Sequence, residues 1–236
     1  MSDFKEPRDR RFIASAGFIG LIVIAGIIVV ILRLVGGGTG EGDAGTGPSP
    51  SQLSSGADST SACGLPEGDQ AIPTAAPTTK WYFKGKIAVP SSPDFGPAKG
   101  ADENSVATCF GHNPSGALFA AATIAAETSS FSSIAEEAIR AHIAPGDLRD
   151  ELIRTLDPAP GPLAQIVGFK FEDHTRDRGT VTLATRVVDG PNAGAIGATP
   201  MTLVWVNGDW QQQLQPSATT VVITSLDGFI AWSGIS

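Results

Sequence analysis

From Phe12 to Leu32 the chain carries uncharged, predominantly apolar residues without interruption, and Arg11 and Arg33 bound the run. A helix rising about 1.5 Å per residue would span roughly 30 Å over this stretch, the thickness of a bilayer's hydrocarbon core. The pattern predicts an uncleaved transmembrane helix over 12–32, after a cytoplasmic tail of residues 1–11. A cleaved signal peptide would have a shorter apolar core ending at small residues, whereas Arg33-Leu34-Val35 occupies that place. Lys5, Arg8, Arg10 and Arg11 crowd the front of the run and only Arg33 follows it, so the N-terminus is expected inside and the bulk of the chain outside.

Beyond the run the pattern changes four times. Residues 33–62 are Gly, Ser, Thr and Pro with almost nothing apolar, which predicts a flexible tether. Residues 63–108 mix Pro66, Pro73, Pro77, Pro90, Pro93 and Pro97 with Trp81, Tyr82, Phe83, Ile87 and Val89, which predicts an extended arm laid over a domain formed by 109–236. That domain opens with helices. Asn113-Pro114 offers an N-cap and a first-turn proline for a helix running to about Thr128. Ser133 and Glu136 form a capping-box pattern for a second helix to about His142. Asp147 can cap a third helix with Leu148, Leu152, Ile153 and Leu156 on one face.

After Pro158, Pro160 and Pro162 the apolar period becomes two. Val167, Phe169 and Phe171 alternate with Gly168, Lys170 and Glu172, and Val181, Leu183, Thr185 and Val187 repeat the pattern. Met201 to Val206 runs into Asn207-Gly208, a tight-turn signal, and Trp210 to Gln215 returns. Thr220 to Ile223 can add a strand, and Leu226-Asp227-Gly228 turns the chain toward Trp232. Helices followed by a bent antiparallel sheet predict an α+β domain. The expected architecture is the cone of nuclear transport factor 2 and ketosteroid isomerase, also called cystatin-like, with helices packed into the concave face.

Charge narrows the partners. Residues 34–236 hold 11 basic and 21 acidic side chains, a surface that repels phosphate backbones, so direct nucleic-acid binding is not expected. Cys63 and Cys109, an even count in an oxidising compartment, favour a disulfide. Free thiols are one alternative. Metal is another, because Cys109 and His112 have ligand-like spacing, but no second close pair completes a site.

No arrangement compels catalysis. Asp173-His174 at a strand end could serve as a base pair, yet Thr175-Arg176-Asp177-Arg178-Gly179 after it reads as a charged turn. His112 and His142 lack a serine elbow to act on, and neither a phosphate loop nor a dinucleotide fingerprint is present. No catalytic, cofactor or metal residue is assigned. Trp205 and Trp210 flank the Asn-Gly turn, and with Trp81 and Trp232 they are interaction or packing aromatics.

The run Cys63-Gly-Leu-Pro-x-Gly-Asp-Gln70, with Trp81, Val89-Pro90, Gly96-Pro97, the stretch from Cys109-Phe-Gly-His112 to Ala121, Leu226-Asp-Gly and Trp232-Ser-Gly234, resembles a family of actinobacterial membrane-anchored proteins found in conjugative and integrative elements. The likeness covers about 63–236. The layout is also similar to that of single-span assembly factors of type IV secretion and conjugation machines, whose outer domain has the cone-like fold. These resemblances imply a non-enzymatic envelope protein that binds other transfer-apparatus subunits and forms an oligomer. The first alternative is a tethered module for a small ligand or cell-wall component, with a pocket lined by Phe119, Phe169 and Phe171. The second is an enzyme of isomerase or dehydratase type using Asp173 or His174.

Overall fold

The computed structural model describes residues 63–129, 133–156 and 162–234. The expected tail, transmembrane run and tether lie outside them. Among the described residues no helix is long and apolar enough to cross a membrane.

The fold is α+β, a curled, half-barrel sheet rich in antiparallel pairs with few helices. In chain order it has β1 (Lys80–Lys84), β2 (Ile87–Ser91), α1 (Pro114–Glu127), α2 (Ala135–His142), α3 (Asp147–Arg154), β3 (Ala164–Thr175), β4 (Arg178–Val187), β5 (Ile196–Val206), β6 (Asp209–Gln212), β7 (Val221–Ile223) and β8 (Ile230–Ala231). The strands lie side by side in the order β1 to β6, with β7 pairing β5 and β8 pairing β3. Most of these elements stand where the apolar pattern puts them.

The arm differs from expectation. It does not only lie over the domain, because its Lys80–Ser91 stretch folds as the hairpin β1–β2, and β2 pairs parallel with β3 through Ile87 and Ala88. The three helices are thus the crossover that a parallel pair requires. Beyond that pair, β3, β4 and β5 form a long antiparallel meander. Register shifts at Ile166/Gly168 and Phe171/Asp173 bend β3; such bulges raise local twist and curl a sheet around what it packs on.

What it packs on is α1. Asn113 caps this helix, its side chain accepting the Gly116 N–H at 2.7 Å, and Pro114 opens the first turn as the sequence predicts. The helix is buried on nearly every side, with Ala117 to Ala122 and Ile124 fully covered. Alanine makes this feasible, since a slim helix fits between a sheet and a covering segment. Gly116 is required for the same reason: a Cβ there would stand 1.9 Å from the Gly111 carbonyl oxygen.

Two predicted caps are corrected. Ile134, not Ser133, occupies the N-cap of α2, with no side-chain hydrogen bond. Ile134 is buried, so apolar burial rather than a hydroxyl fixes where that helix begins. Gly146 precedes α3, and Asp147 sits inside its first turn, where its charge still complements the helix dipole.

Candidate functional site

The interior of the curl is filled by aromatic side chains. Phe119 of α1 and Phe169 of β3 are both fully buried. Their rings meet Trp232 at 5.4 and 5.5 Å, and Trp81 of β1 closes on Trp232 at 5.1 Å. Trp232 donates its indole N–H to the Thr79 hydroxyl at 3.0 Å. Trp81 and Trp232 therefore pack, and Phe119 and Phe169 belong to one core, with Phe171 packed against it. A groove of about 830 Å3 lies at the surface instead, between residues 69–80 and 91–95.

A second cluster occupies the tip where the β3–β4 and β5–β6 turns meet the start of α1. Asn207 and Gly208 both take positive φ, 54° and 84°, which sets β5 against β6 in the predicted tight turn. Trp205 and Trp210 then face each other edge-on at 5.3 Å. Trp205 stacks flat on His112 at 4.0 Å, and His112 Nε2 lies 2.8 Å from Asp177 Oδ1. Trp210 donates its indole N–H to the Gly111 carbonyl at 2.8 Å. Asp209 accepts backbone N–H bonds from Cys109, Phe110 and Trp210. Burial pushes its carboxyl above the usual carboxylate range, although those three bonds pull the other way.

The tip also holds Asp173 and His174, and each has partners of its own. Asp173 accepts the Thr180 N–H at 2.8 Å. His174 leans on Phe171 and Trp210, and burial lowers its pKa from the ordinary value.

Cys63 is joined to Cys109 by a disulfide with Cα atoms 5.7 Å apart. Beside it the arm is fastened to the tip. Arg176 donates to the Glu67 carboxylate at 2.7 Å, Asn113 donates to the Glu67 carbonyl at 2.8 Å, and Gln70 donates to the His112 carbonyl at 2.9 Å.

The third cluster is ionic and dry. Lys84 Nζ lies 2.9 Å from Glu127 Oε1, and both side chains are 0 % exposed. Glu127 Oε2 is 2.9 Å from His142 Nε2, and the Ala107 N–H donates to Oε1 at 2.9 Å. The lysine ammonium also donates to the Gly100 carbonyl at 2.9 Å and to the Ser105 carbonyl. Tyr82 lies beside it, its ring centroid 5.9 Å from Nζ, and burial together with the charge of Glu127 pushes the Tyr82 hydroxyl up.

Sequence reasoning named the cysteines and the tryptophans. It missed Lys84, Glu127 and the roles of Asp177, Asp209 and His142. One signal was available: Glu127 is the only charge in the fourteen residues of α1, where a polar face would hold several. Lys84 shares a strand face with Tyr82, but nothing local marks that face as buried. Among the described residues no group of three or more His, Cys, Asp or Glu could hold a metal ion.

No curated protein and no solved structure matches this chain. Residues 43–231 match the family described as Domain of unknown function (DUF8175), and with that share of its length covered the chain belongs to this family.

Proposed function

We propose that the chain is a non-enzymatic, single-span envelope protein with its N-terminus inside the cell. Its outer domain binds other subunits of a conjugative transfer or secretion apparatus, and it works as an oligomer. The curled sheet around α1 is a variant of the cone of nuclear transport factor 2. The observation that carries this reading is the filled interior: Phe119, Phe169 and Trp232 are buried against one another inside the curl. Apolar side chains instead stand exposed at strands, with Phe83 at 52 % on β1 and Val221 at 59 % and Val222 at 48 % on β7. Sheet edges that carry apolar side chains suit strand pairing with a partner. The apolar run over 12–32 supports the membrane anchor, and the resemblance to actinobacterial element-borne proteins supports the apparatus.

The alternatives fit less well. A small-ligand module needs an open interior, and an isomerase or dehydratase needs an acid or base facing one; Asp173 and His174 sit at the tip and point to separate neighbours. The reading is tested by cross-linking intact cells that produce the full chain, capturing it from solubilised membranes and identifying what is bound, alongside transfer assays of a deletion strain. Apparatus subunits in the capture and a loss of transfer are expected. Their absence, with transfer unchanged, overturns it.

A further inference from the structure

The Lys84–Glu127–His142 cluster does no work in the reading above, yet its geometry is that of a reaction. An amine and a carboxyl group are held in contact where water does not reach. An ion pair so placed sacrifices the hydration of both charges, and their attraction recovers it poorly. A neutral linkage would not carry that cost.

We propose that Lys84 and Glu127 condense within the folded protein to an intramolecular amide, with His142 as the catalytic acid. In a dry site, transfer of one proton from the ammonium to the carboxylate, where it comes to rest on Oε2, neutralises both groups and frees the nitrogen lone pair. Nζ then attacks Cδ of Glu127, and charge develops on Oε1. The Ala107 N–H, 2.9 Å from Oε1, is a fixed donor aimed at that charge. His142 Nε2, 2.9 Å from Oε2, delivers the second proton to that departing oxygen, and the proton that the attacking nitrogen then gives up restores the imidazole. The Nζ–Cδ bond forms and the Cδ–Oε2 bond breaks. One of the three ammonium protons stays on the amide nitrogen and two leave with Oε2 as water. No oxidant, reductant or co-reactant is required.

Position favours the step as well. The Gly100 and Ser105 carbonyls hold Nζ against the carboxylate, which replaces a chance encounter by a fixed contact. Tyr82 and Thr123 carry buried hydroxyls with no hydrogen-bond partner of ordinary geometry, and these can receive the released water. The product would tie β1 of the arm to the last turn of α1, a second covalent staple on a domain that already has Cys63–Cys109.

The test is mass spectrometry on the purified full chain, held folded at neutral pH, then reduced and denatured. The expected mass is lower than that of the sequence by one water. Tryptic digestion should leave Lys84 uncleaved and joined to the peptide that contains Glu127. Lys84→Arg should restore the full mass, and His142→Gln should raise the uncondensed fraction at early times. A wild-type chain at full mass and cut by trypsin after Lys84 overturns the proposal. So does a loss of water that maps to any other pair.

Discussion

At the scale of single residues the decisive positions are polar groups carried into the core. Glu127 accepts from Lys84, His142 and the Ala107 amide, so Glu127→Ala leaves a buried cation and an amide without their partner. Removal of one member of such a pair costs about 3–5 kcal/mol, expected as a fall in urea unfolding free energy of that size relative to wild-type chain in which the pair has not condensed, without a change in the native aromatic circular dichroism at low denaturant. His174 gives a pH signature. Burial, with the charge of His112 adding to it, holds its pKa below the ordinary 6.5, and Asp173 opposes the shift. The folded state therefore resists a proton that the unfolded chain takes up. The stability contributed by His174 is present above the unfolded value of about 6.5 and is lost as pH falls through the depressed folded one. His174→Gln is expected to flatten the decline of the urea midpoint on the acid side and to leave mildly alkaline stability unchanged; an equally steep acid limb in the variant would refute the assignment. Such residues were poorly legible in the sequence, because a lysine in a strand or a histidine before a turn carries no local mark of what the far end of the chain will place beside it.

At the scale of elements the sequence was read more easily, since periodicity and turn chemistry act within a few residues. Asn113-Pro114 and Asn207-Gly208 behave as their chemistry dictates, and the alternating runs become β3, β4 and β5. Where the reading slipped, at Ser133 and Asp147, a buried Ile134 and a positive-φ Gly146 set the boundary instead. Two substitutions probe these elements. Gly116→Ala would force a Cβ to 1.9 Å from the Gly111 carbonyl oxygen. Because that contact is backbone, α1 must shift within its cover, and a loss of about 2 kcal/mol or more is expected. Gly208→Ala keeps a side chain at a φ of 84°, which costs about 1 kcal/mol. Both are measured as urea midpoints, and the larger effect should be at Gly116; the reverse order would mean that the helix has room the packing denies it.

At the scale of the whole molecule the arm decides how the pieces hold together, and here the sequence showed least. The order of helices and then sheet was visible, and so were two cysteines suited to a staple. That β2 would pair parallel with β3, some 77 residues later at Ile87 and Ala164, was not, because a parallel neighbour leaves no trace in local alternation. The disulfide spans 46 residues and encloses the whole β1–β2 hairpin. On the loop-entropy account its closure is worth about 4 kcal/mol, acting mainly on the unfolded chain. Cys63→Ser should therefore lower the urea unfolding free energy by about that amount, and reductant should bring the wild type to the same value while leaving the variant unaffected. The native state should answer unevenly. Residues 63–70 are held beside the disulfide by Glu67, Gln70 and their partners Arg176, Asn113 and His112, contacts near the surface that open at small cost. The strands at Lys80–Ser91 are held by the sheet itself. Hydrogen exchange on Cys63→Ser is expected to show lost protection confined to residues before Lys80, with β1 and β2 still slow. Loss of protection across β1 and β2 as well would mean that the disulfide, and not the sheet, keeps the arm in the fold.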